Sequence, residues 1–119
     1  MLREFGKTRQ EDSSHKRRWF YSWDCDLILW LNGDESLWGF QFCYDKPNNE
    51  HALTWVTDCG YSHMRVDTGS RFSQAPLLVP NGALMPAYIL ETFAQQAMHI
   101  PAAYRGFIEE RLVELAAKS

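Results

Sequence analysis

The sequence predicts an α+β domain: a five- to six-stranded antiparallel β-meander followed by two C-terminal helices packed on one face. Three observations carry this. Short apolar runs with two-residue alternation fill residues 17–67, tight turn signals separate them, and the last third changes to helical spacing. At 119 residues the chain is read as a single domain, 1–119, with residues 1–15 loosely ordered.

The organising stretch is Leu37 to Asp45. Trp38, Phe40, Phe42 and Tyr44 fall at every second position, the spacing of one face of a strand. The intervening Leu37, Gly39, Gln41 and Cys43 are not charged either, so the strand is read as central and covered on both sides. Residues 3–10 are polar and suggest only an exposed first strand. Glu11 to Ser14 form a turn, and Arg17 to Ser22 the next strand. Asp26 to Leu31 is apolar throughout, a second central strand. Asn32-Gly33 then predicts a hairpin reversal, because both residues tolerate positive φ. Lys46 to Glu50 is a loop, His51 to Thr57 a strand, Cys59-Gly60 a turn and Tyr61 to Asp67 a strand. Connections this short force antiparallel neighbours.

Thr68 to Ala75 reads as a polar loop, and Pro76 to Gly82 as a short edge strand that Pro80 ends. A helix is expected from about Pro86 to Met98, since proline suits a first turn whose N–H is unpaired anyway. Ile89, Leu90, Phe93 and Ala97 form its apolar stripe. A second helix starts at Pro101, with Tyr104, Phe107, Ile108, Leu112 and Leu115 on one side.

The net charge of −3 and acidic remainder argue against nucleic acid as a partner, although residues 1–18 carry six basic and three acidic side chains. Arg17-Arg18-Trp19-Phe20 is a faint echo of a basic-aromatic interface, and a solvated basic hairpin explains it as well. No apolar run approaches the ~20 residues of a membrane helix. Three cysteines without CxxC spacing, and no leader-like start, point to reduced thiols in the cytoplasm. His15, His51, His63 and His99 show no metal-ligand spacing, so neither metal nor other cofactor is expected. No GxSxG context or glycine-rich phosphate loop is present.

Simple alternation divides the sheet into two faces. Leu27, Leu29, Leu31, Gly39, Gln41, Cys43, Ala52, Thr54, Val56, Met64 and Val66 make an aliphatic set. Trp19, Tyr21, Ile28, Trp30, Trp38, Phe40, Phe42, Tyr44, Leu53, Trp55 and Tyr61 make an aromatic one, which His63, Arg65 and Asp67 continue. If the helices take the aliphatic set, the rings stay open for a second copy of the chain, a ligand, or the N-terminal segment and the loop at Thr68 to Ala75. At ~25 cal/mol per Å², each open large ring forgoes roughly 2–3 kcal/mol of burial. The alternative, with helices on the aromatic set, carries equal weight. The aromatic-face reading gives a ligand site of Trp38, Phe40, Tyr44, Trp55, Lys46 and Arg65, and a homodimer.

His63, Arg65 and Asp67 are spaced to point one way, roughly 6.5–7 Å apart. Such a row suits an anionic metabolite held by Arg65, with His63 carrying a proton and Asp67 or Asp45 orienting it. A salt-bridged ladder on a solvated face is the plainer reading. A domain whose helices or Arg17–Arg18 edge dock on another protein is a third.

The strings RRWF (17–20), DLILW (26–30), GFQFCYDK (39–46), ALTW (52–55) and SHMRVD (62–67) together resemble a family of small bacterial proteins of unknown function. The resemblance implies a bacterial protein and supplies no activity or site residue.

Overall fold

The computed structural model describes residues 1–5, 15–47, 50–67, 77–80 and 85–118. Its strands lie side by side in chain order in one antiparallel sheet. They are β1 (Arg3–Glu4), β2 (Lys16–Tyr21), β3 (Asp26–Leu31), β4 (Leu37–Tyr44), β5 (His51–Val56), β6 (Gly60–Asp67) and β7 (Leu77–Pro80), followed by α1 (Pro86–Gln96) and α2 (Ala102–Lys118). Six strands of four or more residues thus make the expected meander, and a two-residue strand extends one edge. Of the strand expected over 3–10, residues 3–5 fall among the described residues, and Arg3 and Glu4 form β1. The polar loop expected over Thr68 to Ala75 lies outside them.

The β3–β4 reversal differs from a two-residue Asn-Gly turn. The Glu35 N–H donates to the Asn32 carbonyl at 2.9 Å, and the Asn32 N–H donates to the Ser36 carbonyl at 2.8 Å. Positive φ falls on Glu35, at 69°, rather than on Asn32 or Gly33. This is the three-residue loop in which a turn is followed by a left-handed residue. Asp34 favours it by accepting both the N–H (3.0 Å) and the hydroxyl (2.6 Å) of Ser36.

A bulge then decides the faces. Leu31 pairs with Leu37, but Trp30 pairs with Gly39, so Trp38 is the extra residue. One residue of slip moves every following side chain to the opposite side. Leu29 therefore sits across from Phe40 and Leu27 across from Phe42, instead of beside Gly39 and Gln41. The aliphatic and aromatic sets of the alternation argument are mixed at this point. β2 pairs with β3 as Trp19 to Ile28 and Phe20 to Leu27, and β4 with β5 as Phe40 to Trp55 and Phe42 to Leu53. One face thus combines Phe20, Leu27, Leu29, Phe40, Phe42, Leu53 and Trp55. The other combines Trp19, Tyr21, Ile28, Trp30, Gln41, Thr54 and Met64.

The helices cover the first of these faces. Ile89 and Phe93 of α1, Ala97 at its C-terminal cap, and Ile108 and Leu112 of α2 are fully buried against Leu27, Leu29, Phe40, Phe42 and Leu53. Phe93 meets Phe42 edge-on, with ring centres 5.4 Å apart. Polar ties fix the layer: the Tyr104 hydroxyl donates to the Glu35 carbonyl (2.9 Å), and the Tyr61 hydroxyl to the Arg111 carbonyl (2.8 Å). Leu2, wholly buried, donates its N–H to the Gln96 carbonyl, which joins the N-terminus to the end of α1. On the other face, Trp19 packs on Phe5 at 5.6 Å, and Tyr21 meets Phe5 edge-on at 5.9 Å.

Candidate functional site

At the β4–β5 turn end of the helix-covered face, three neighbouring strands and the first turn of α1 bring four aromatic polar side chains together. Tyr44 ends β4 and His51 opens β5, directly across from it. His63 lies on β6, opposite Leu53. Tyr88 comes down from α1. The His51 and His63 rings stack 5.1 Å apart at 9°, and Tyr44 stacks on both, at 5.8 and 6.0 Å. Tyr88 meets Tyr44 edge-on at 5.9 Å.

The Tyr44 hydroxyl and His63 Nε2 are 2.5 Å apart. Burial, then the negative charge of Asp45, pushes the Tyr44 hydroxyl well above the ordinary tyrosine range. Tyr44 therefore keeps its proton at neutral pH, and which partner donates depends on the His63 tautomer: the tyrosine hydroxyl donates to a bare Nε2, and an Nε2–H donates to the tyrosine oxygen. Asp45 follows Tyr44 at φ 56°, a left-handed backbone that brings its carboxylate to Tyr88. The Tyr88 hydroxyl donates to Asp45 Oδ1 at 2.6 Å, and that bond raises its pKa.

Access is uneven. Tyr44 and His51 are buried, His63 is half-buried, and Tyr88 and Arg65 are exposed. Arg65 pairs across the ladder with His51 and shares its face. Among the described residues it carries no ion pair. The cluster therefore has a hydrogen-bonding aromatic interior and a cation at its rim.

Of the residues singled out from sequence, His63, Arg65, Asp45 and Tyr44 come together here. The Asp67 backbone closes β6 opposite Leu77, and its side chain lies outside the described residues. Lys46 turns away, its Nζ 3.0 Å from Asp26 Oδ1. Asp26 pairs with Cys43, on the side without helices. Phe40 is completely enclosed. Trp55 lies under α2, edge-on to Phe107 at 5.3 Å, with the Arg111 guanidinium 5.8 Å over its ring. Trp38 stacks on His15 at 3.9 Å, at the far end of β4 from Tyr44. Six residue steps along the strand separate the two, about 20 Å, too far to line one small pocket.

His51 and Tyr88 escaped the sequence argument. His51 opens a strand straight after a turn whose other end is Tyr44, which places the two in register. Tyr88 is the one aromatic side chain in the first turn of α1. Both signals needed a known strand order to be read.

No family model, curated protein or solved structure matches the chain. Function therefore rests on the geometry. Among the described residues, no three His, Cys, Asp or Glu side chains are grouped to hold a metal ion. No helix among them is long and apolar enough to cross a membrane. The Cys25 and Cys43 thiols are pushed up to about 12, first by burial and then by nearby carboxylates, so neither is a nucleophile at neutral pH.

Proposed function

We propose that the protein is a binding domain for a small anionic ligand, taken at the rim where Tyr44, His51, His63 and Tyr88 meet Arg65. One observation carries the reading: an exposed arginine with no ion pair among the described residues stands beside a stacked histidine pair tied to a tyrosine. Arg65 supplies the fork that matches a carboxylate or phosphate. His63 gains positive charge by protonation, and Tyr44 holds its ring in either state. The same parts suit proton transfer to a bound anion, which is the enzymatic form of the reading. Three free cysteines support a reducing, cytoplasmic setting, and the resemblance noted above a bacterial one.

The test is a thermal-shift and calorimetric screen of carboxylate and phosphate metabolites on wild type and Arg65→Gln. Removing a charge-assisted pair worth roughly 1.5–3 kcal/mol should weaken a true ligand about 10- to 100-fold. Equal affinity in the variant would exclude this site.

A second reading concerns the sheet face without helices, which carries Trp19, Tyr21 and Trp30. There the proposal is a homodimer, with the two sheets facing one another across these rings. Light scattering at high micromolar concentration distinguishes it, since a monomer would rule it out.

A further inference from the structure

The geometry points to a second ligand site, separate from the histidine cluster: a cleft of about 450 Å³ between the β3–β4 turn and the start of α2, which takes a monocarboxylate with an apolar body and seats its carboxylate on Arg18. The volume falls within the range of small-molecule pockets, and most of the lining is apolar, as such pockets require. Leu37 lies almost fully buried at the cleft. Tyr104 and Phe107, three residues apart on α2, present their rings on one side. The Tyr104 wall is pinned, because its hydroxyl donates to the Glu35 carbonyl across the opening at 2.9 Å.

Arg18 is the cation of this lining, and its orientation is already set. Its guanidinium carbon lies 5.5 Å from the Phe20 ring centre and 5.7 Å from that of Tyr104. Two flanking rings hold the plane of the fork. The fork already grips a carboxylate: Nε and Nη2 each donate to Glu4, both at 2.8 Å. Glu4 comes from the two-residue edge strand β1 and is exposed, so water and salt can compete for it where a ligand seated in the cleft would be shielded. A ligand that fills the cleft with apolar surface can therefore replace Glu4 on Arg18. The carboxylates of Glu4 and Glu35 nearby disfavour a second negative charge, so one carboxylate per ligand is the rule expected.

The probe is 4-phenylbutyrate, with 4-phenylbutanol as its uncharged counterpart, followed by amide shifts in NMR spectra. The acid should shift residues 37, 103 and 107 and leave residues 51, 63 and 65 unmoved. It should bind at least tenfold more tightly than the alcohol, and Arg18→Gln should erase that difference. Glu4→Gln should tighten binding by releasing the fork. Arg18 also packs on two rings, so Ala103→Trp supplies a variant independent of it. Ala103 is an exposed helical position on the cleft. Filling the space from there should abolish binding without lowering the melting temperature. Equal binding of acid and alcohol, unchanged affinity in Glu4→Gln, full binding in Ala103→Trp, or shifts confined to the histidine cluster would each overturn the assignment.

Discussion

Gly39→Ala tests how closely β4 approaches β5 at the residue that follows the bulge. In an ordinary strand, alanine is favoured over glycine by roughly 0.5–1 kcal/mol, because it has less chain entropy to lose. At position 39 a Cβ would stand 2.8 Å from the Trp55 carbonyl oxygen, 3.2 Å from Val56 Cγ2 and 3.3 Å from Val56 Cα. Ordinary contact begins at 3.4 Å, and two of the three atoms belong to backbone. Gly39 and Val56 are partners in the β4–β5 ladder, so that backbone cannot withdraw without disturbing the pairing. Overpacking of this kind costs about 1–3 kcal/mol, which outweighs the entropy gain. A net destabilisation of about 1–2 kcal/mol is expected. Urea unfolding followed by tryptophan fluorescence reads it as a midpoint lower by about 0.5–1 M at unchanged slope. A midpoint equal to or above wild type would mean that the strand backbones do not approach here. The close pairing of Gly39 with Val56 in the β4–β5 ladder would fall with it.

Three further outcomes follow from local geometry. Glu35→Gly should raise stability by about 0.5–1 kcal/mol, since it relieves a left-handed backbone at φ 69° and keeps the carbonyl that Tyr104 binds; a fall in the urea midpoint would contradict this. The pH dependence should be one of alkaline loss. Burial raises Cys25, Cys43 and Tyr61 to about 12, so the folded chain holds these protons longer than the unfolded one. Their stabilisation is complete below the unfolded values, 9.0 for the thiols and 10.0 for the tyrosine, and drains away as pH climbs towards about 12. The melting temperature should be level to about pH 8.5 and decline above 9, and a plateau reaching pH 11 would refute it. A thiol reagent at pH 8 should likewise label exposed Cys59 at once, and Cys25 and Cys43 only after unfolding.

The candidate site was half legible beforehand. The spacing of His63 and Arg65 placed them on one face, and Asp45 was recognisable at the end of a strand. Lys46 could not be separated from Asp45 by pattern, because a left-handed residue between strand and loop sends the two side chains apart. His51 and Tyr88 became neighbours of Tyr44 only through the ladder register and the descent of α1. The Asn32-Gly33 pair marked a reversal correctly in place but not in kind, since Asp34 and Ser36 bond each other and lengthen the loop.

What belonged to the sequence alone was the list of parts: alternation set the strands, short turns forced the meander, and Pro86 and Pro101 opened the helices. These are local properties, governed by backbone sterics within a few residues. Which face the helices cover was not local. It turned on one additional residue, Trp38, inserted between Leu37 and Gly39, and a strand's period of two makes a single insertion reverse everything beyond it. Only contact between strands reveals such an insertion, so the core beneath the helices and the aromatic surface opposite were decided by tertiary structure.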